Sequence, residues 1–123
     1  MSNQLQSSNK KIYDLEERTG IFGKNIILFA QSLNENSINR PLISQLVRSA
    51  TSIGANYMEA DVAESKKDFV HKIGICKKES KETHHWLHMI ATANPDKIQE
   101  CRHYWKEVHE LLLIFSSIIK KKK

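Results

Sequence analysis

Apolar residues recur at steps of three and four along almost the whole chain and nowhere alternate with polar ones over the length of a strand. The pattern therefore predicts amphipathic helices and no sheet. The first helix opens near Tyr13, with Asp14 as its N-cap and Glu17 in its first turn. It follows Leu15, Phe22, Ile26, Phe29 and Leu33 until Asn34, Glu35, Asn36 and Ser37 break it. Asn39 is placed to cap the second helix, with Pro41 in the first turn where a missing N–H costs nothing; this helix reaches about Val62. Ser65 caps the third, and Asp68 can complete a capping box. Its seam is Phe69, Ile73, Cys76, Ser80, Thr83, Leu87 and Ile90, ending near Ala93. Asn94-Pro95 stops that helix and starts the last one, whose seam is Ile98, Cys101, Trp105, Val108, Leu112, Phe115 and Ile119. Long helices joined by short connections make an all-α, up-down-up-down antiparallel four-helix bundle over residues 13–119.

The second helix carries two apolar stripes. Leu42, Leu46, Ser49, Ile53, Asn56 and Ala60 form one, suited to bundle neighbours; Ile43, Val47, Ala50, Gly54 and Tyr57 form another, rich in small residues that let a backbone come close. The fourth helix has a surplus stripe of its own in Tyr104, Leu111 and Ile118. A bundle packed only on itself needs one stripe per helix, so these eight positions (Ile43, Val47, Ala50, Gly54, Tyr57, Tyr104, Leu111, Ile118) are expected at a homo-oligomer interface. The competing reading is a wide core-facing side.

Composition narrows the picture. A chain of 123 residues fits one domain. Residues 1–12 are polar and are expected to form a flexible arm without the apolar segment of a signal peptide. The longest apolar run, near Leu111 to Ile119, falls short of the roughly 20 residues that span a bilayer, so a soluble cytoplasmic protein with no membrane partner is expected. The net charge of +5 is concentrated in a basic tail, Lys120, Lys121, Lys122 and Lys123. Such a tail attracts nucleic acid, and it also suits the negative end of a helix dipole. Cys76 and Cys101 fall on core seams with no motif spacing, as reduced, inert thiols do.

The residues also resemble a known family. Tyr13-Asp14-Leu15-Glu16-Glu17-Arg18-Thr19, the run from Gln45 to Asn56, Glu59-Ala60, Ser65-Lys66-Lys67-Asp68-Phe69, and Glu79-Ser80-Lys81-Glu82-Thr83 with Trp86-Leu87 are similar to the bacterial four-helix-bundle protein family. That family is also labelled the ribosomal RNA intervening-sequence protein family, because some members are encoded within insertions in large-subunit ribosomal RNA genes. The resemblance covers about residues 13–119. It implies an up-and-down subunit, a ring-shaped homopentamer and no established catalytic activity. A distant relative, the accessory protein of diversity-generating retroelements, shares the pentameric barrel and binds nucleic acid and a reverse transcriptase. By analogy, RNA or DNA and a reverse transcriptase become candidate partners here.

Three constellations could carry chemistry. Gln45, Ser52 and Glu59 recur seven apart on the second helix, with Asn56 in line and Arg48 beside them. They read as a buried polar network in which Arg48 meets Glu79 or Glu82 of the third helix; loss of Arg48 would then cost roughly 3–5 kcal/mol by stranding a buried carboxylate. Lys67, His71, Lys78, Lys81 and His85, flanked by Lys77, His84 and His88, form an outer face of the third helix able to contact phosphates. His84 with His88, or His85 with His88, could hold a metal from one helix, but no third ligand or His-Glu-x-x-His motif accompanies them. Trp86 and Trp105 are expected to pack rather than stack on bases. No glycine-rich phosphate loop and no nucleophile–base pattern is present, so neither an enzyme nor a cofactor is expected. The expected activity is an oligomeric scaffold engaging RNA or DNA; the rival is a protein–protein adaptor whose spare stripes receive a partner's helix.

Overall fold

The computed structural model describes residues 14–122; the N-terminal arm and Lys123 lie outside them. Four helices follow in order: α1 (Leu15–Gln31), α2 (Asn39–Asp61), α3 (Lys66–Ala93) and α4 (Ile98–Lys122), with a 3-10 turn (Pro95–Lys97) leading into α4. No strand occurs among the described residues. Facing residues establish the antiparallel order. Thr19 lies against Gly54 and Gly23 against Thr51, so advancing along α1 retreats along α2. Thr83 and Cys76 of α3 meet Ser49 and Ile53 of α2, and His88 and Phe69 of α3 meet Trp105 and Lys122 of α4. The core runs along the bundle axis through Phe22, Ile26, Leu46, Ile53, Ile73, Leu87, Ile90, Val108, Leu111 and Phe115.

The helix ends are built partly as the sequence predicts. Ser65 caps α3, its hydroxyl accepting from the Asp68 N–H at 3.0 Å. Asp14 precedes α1 but makes no side-chain cap. Asn39 is not the cap of α2. The carboxamide oxygen of Asn36 accepts from the N–H groups of Ile38 and Asn39 at 3.0 and 2.7 Å, which releases the Asn39 side chain for another task. That side chain is buried and exchanges two hydrogen bonds with Asn94, 3.0 and 2.9 Å, while donating to the Asn34 carbonyl at 2.8 Å. Asn94 in turn donates to the Ile90 carbonyl at 2.9 Å. The connection before α2 and the turn after α3 are thereby fastened to each other.

The small-residue stripe of α2 has a different partner from the one expected. Ala50 is fully buried inside the subunit, and a Cβ added to Gly54 would come within 3.3 Å of the Thr19 hydroxyl and 3.5 Å of the Thr19 backbone on α1. The absence of side-chain bulk at Gly54 is what admits α1. Helix α2 is thus sandwiched between α1 and α3 of one chain: Ala50 is withdrawn from any second copy, while Gly54 is half-buried and lines the α1–α2 groove. Leu111 is likewise corrected: it is fully buried in the core, whereas Leu112, assigned to the seam from spacing, is only half-buried. Ile43, Tyr57, Tyr104 and Ile118 are half-buried and pack against the core; Val47 is half-buried as well. Tyr104 sits 6.4 and 5.4 Å, ring centre to ring centre, from Phe22 and Phe29, closing the bundle between α4 and α1. Of the basic tail, Lys120–Lys122 form the last turn of α4, where they suit the negative end of the helix dipole.

Candidate nucleic-acid interface

Two arginines organise the surface charge. Arg18 of α1 donates through Nε to Glu107 at 2.8 Å and through Nη2 to Glu107 and Glu110 at 3.0 and 2.7 Å, reaching across to α4. These carboxylates hold its guanidinium pKa above the ordinary value, the Glu107 hydrogen bond most of all, against an opposing effect of burial. No local sequence signal marks this pairing, whose partners lie 89 and 92 residues apart. Arg48 of α2 pairs as expected with Glu79 at 3.2 Å and with Glu82 of α3, and its Nε donates to Gln45 at 3.2 Å.

The remainder of the predicted network is not a buried chain. Ser52 donates to the Arg48 carbonyl and Asn56 to the Ser52 carbonyl on their own helix, while Glu59 pairs with Lys72 at 2.5 Å. The Arg48 side chain is 45% exposed and that of Glu82 37%, so this pair resembles a surface one, worth about 1 kcal/mol or less. Glu79 is buried, so loss of Arg48 would leave that carboxylate enclosed without its cation, as the sequence reading expects. Within the core, α2 and α3 are joined by Thr83 donating to Ser49 at 2.9 Å and by the Cys76 thiol donating to the Ile53 carbonyl at 3.5 Å.

These pairings dispose of the acidic groups. From Glu64 to Lys122 the carboxylates are Glu64, Asp68, Glu79, Glu82, Asp96, Glu100, Glu107 and Glu110, with Glu64 and Asp68 at the start of α3 partly offsetting its cations. Four of them are drawn to Arg48 or Arg18 at the α2–α3 and α1–α4 seams, and Glu100 lies 3.8 Å from Lys97. The middle of the outer face of α3 and α4 is left mainly to cations, with Asp68 and Asp96 exposed near its two ends. Lys67, His71, Lys78, Lys81 and His85 are all exposed, and Lys77 is half-buried. Helix α4 adds Arg102, His103, Lys106 and His109, all exposed; that Lys106 and His109 lie beside α3 goes unread in sequence because the antiparallel register is a tertiary fact. Among the described residues none of Lys77, Lys78, Lys81, Arg102 or Lys106 has a carboxylate partner. Lys120 and Lys121 are exposed, and the Lys122 ammonium lies 5.6 Å from the Phe69 ring centre.

Histidines gather where the two helices meet. His88 stacks on Trp105 with ring centres 3.9 Å apart, and His84 lies 4.7 Å from His88 and 6.4 Å from His109. His84 has its pKa lowered, first by burial and then by the neighbouring His88 and His109. With Lys106 these residues line a hollow of about 430 Å³. No group of three His, Cys, Asp or Glu side chains among the described residues is arranged to hold a metal ion. The Nε1–H groups of Trp86 and Trp105 are buried without an acceptor among the described residues. Cys76 and Cys101 are free and buried, and burial pushes their thiol pKa values up to about 12 and about 11, which makes them poor nucleophiles.

The model of the 23S rRNA-intervening sequence protein family matches residues 11–117. The chain belongs to this family. The intervening-sequence family resemblance read from Tyr13 onward is thus upheld. Among solved structures, the chain is similar to a protein of unknown function from the S23 ribosomal protein family of Bacteroides thetaiotaomicron VPI-5482. The TM-score is 0.76 and the identity 28%, covering 85% of this chain and 97% of that one. No curated protein matches the chain. As expected of the family fold, the described residues form four long helices and no strand, and no described helix is long and apolar enough to cross a membrane.

Proposed function

We propose that this intervening-sequence family member is a non-enzymatic, oligomeric scaffold that binds RNA or DNA through the outer face of α3 and α4. The observation that carries the reading is the withdrawal of Glu79, Glu82, Glu107 and Glu110 to Arg48 and Arg18, which leaves Lys77, Lys78, Lys81, Arg102 and Lys106 uncompensated on one side. A face of unpaired cations lined with aromatic rings is suited to a polyanion whose phosphates recur at regular intervals. Lys120–Lys122 extend the same charge to the end of α4.

Fluorescence anisotropy with generic RNA and DNA across a salt series tests the reading. Binding should weaken steeply with salt. Converting Lys78, Lys81, Arg102 and Lys106 together to glutamine should flatten the logarithmic salt slope on single strands by about 0.7 for each phosphate no longer neutralised. Absence of binding, or a slope unchanged by the four substitutions, contradicts it.

Self-assembly is the second part of the proposal, with a pentamer as the family-based expectation. Its support is the apolar surface left on the subunit: Ile21 and Leu28 on the outside of α1, Ile27 and Met58 flanking the α1–α2 groove. Several copies would multiply weak phosphate contacts by raising their effective concentration. Sedimentation at micromolar concentration should give a species several times the 14.2 kDa chain mass; a monomer removes this part and leaves the first standing.

A further inference from the structure

We propose that the hollow between α3 and α4, lined by His84, His88, His109, Lys106 and Trp105, is a phosphate subsite for a nucleic-acid strand, and that its grip tightens as the pH falls through the histidine range. The inference rests on the nucleic-acid reading above and adds to it a place and a proton dependence.

Geometry is the first support. Two imidazoles one helical turn apart on α3 converge with a third from α4, at ring separations of 4.7 and 6.4 Å, over a depression of about 430 Å³. A second hollow of about 460 Å³, lined by Gln99, Arg102, His103, Trp105 and Lys106, adjoins it. Trp105 and Lys106 border both, so the two form a continuous cationic track along α4, with an aromatic plane between them. Successive phosphates of one strand can occupy such a track while a base lies against the rings.

Charge is the second. The groups facing the hollow from α4 are Lys106 and His109, with Arg102 one turn away; from α3 they are His84 and His88, with Lys81 one turn away. Neither α1 nor α2 contributes to its lining. Glu107 and Glu110 are engaged by Arg18, and Glu79 and Glu82 by Arg48. Imidazoles crowded together without a carboxylate repel one another when protonated, and the lowered pKa of His84 agrees with that repulsion and with its burial. A phosphate supplies the missing counter-charge. Because it favours the protonated rings, binding takes up protons, and by linkage lower pH strengthens binding.

The test is anisotropy of an oligothymidylate strand carrying a pH-insensitive dye, at fixed salt, with wild type, the triple variant His84→Gln/His88→Gln/His109→Gln, and His109→Gln alone. Wild-type affinity should rise about tenfold or more from about pH 7.5 to about pH 5.5. The triple variant should bind as wild type does at the higher pH within about twofold, yet gain less than about threefold on acidification. A histidine whose folded pKa lies below its unfolded value loses stabilising effect as pH falls through about 6.5, so circular dichroism must accompany each titration. His109 is exposed, and its single replacement keeps the test available if the triple variant unfolds; it should reduce the acid response without altering helix content. Salt-sensitive binding that ignores pH, or a full acid response in either histidine variant, overturns the subsite alone. No binding at either pH overturns the nucleic-acid reading and the subsite with it.

Discussion

Phe115→Ala should lower the unfolding free energy by about 3–5 kcal/mol, the range for removing a fully enclosed aromatic ring. Phe115 has no exposed surface and lies 6.5 Å, ring centre to ring centre, from Tyr57 of α2. Its loss empties a site bordered by more than one helix. Two residues earlier on the same helix, Leu113 is 55% exposed, and Leu113→Ala should change stability by less than about 0.5 kcal/mol. Urea denaturation of both variants and wild type, at one protein concentration so that any assembly contributes equally, reads the contrast. Equal midpoints for the two variants would mean that α4 is turned on its axis relative to the register described.

A second large effect is expected at the amide pair joining the two ends of the bundle's connections. Asn39→Ala removes both hydrogen bonds to Asn94 and the one to the Asn34 carbonyl, and leaves the Asn94 carboxamide buried with its oxygen unmet. An unsatisfied buried polar group costs about 1–3 kcal/mol, and the missing bonds place this variant toward the upper part of that range. Asn94→Ala should behave similarly. The double variant should be less destabilised than the sum of the two by about 1 kcal/mol or more, since the second removal no longer orphans a partner. Simple additivity in the double-mutant cycle would show that the side chains do not interact.

What is legible in the sequence follows from the range over which each feature acts. Seams of three-and-four spacing are local, and so they identify Ile26, Ile53, Ile73, Leu87, Val108 and Phe115 as core positions, all of them fully buried. Ser65 is legible as a cap because its acceptor role involves Asp68 three residues on. Leu111 and Leu112 are adjacent, about 100° apart on the helix, and a spacing rule that accumulates drift over four turns selects the wrong one. The two stripes of α2 are real, but an apolar stripe carries no label saying whether its neighbour is α1 of the same chain or a helix of another. Thr19, which explains Gly54, lies in a different helix.

At the candidate site the division is similar. The α3 cations share one helix face and can be read by periodicity, whereas Arg102, Lys106 and His109 join them only after folding. The pairing of Arg48 with Glu79 and Glu82 is readable from sequence, yet the exposure of Arg48 and Glu82 beside a buried Glu79 is not, because burial depends on how far the α2–α3 seam opens to solvent. The Arg18 contacts with Glu107 and Glu110 have no local signature at all, and they decide the sign of the α4 surface.

The Asn39–Asn94 clasp also gives the bundle a mechanical polarity. The connection 32–38 and the Pro95–Lys97 turn are locked together at one pole. At the other pole lie the start of α1, the short link between α2 and α3, and the final turn of α4, where Lys122 rests on Phe69. On heating, opening is expected first at the lysine-bearing pole, the last turn of α4 unwinding and sweeping its charges outward while the clasped pole stays shut.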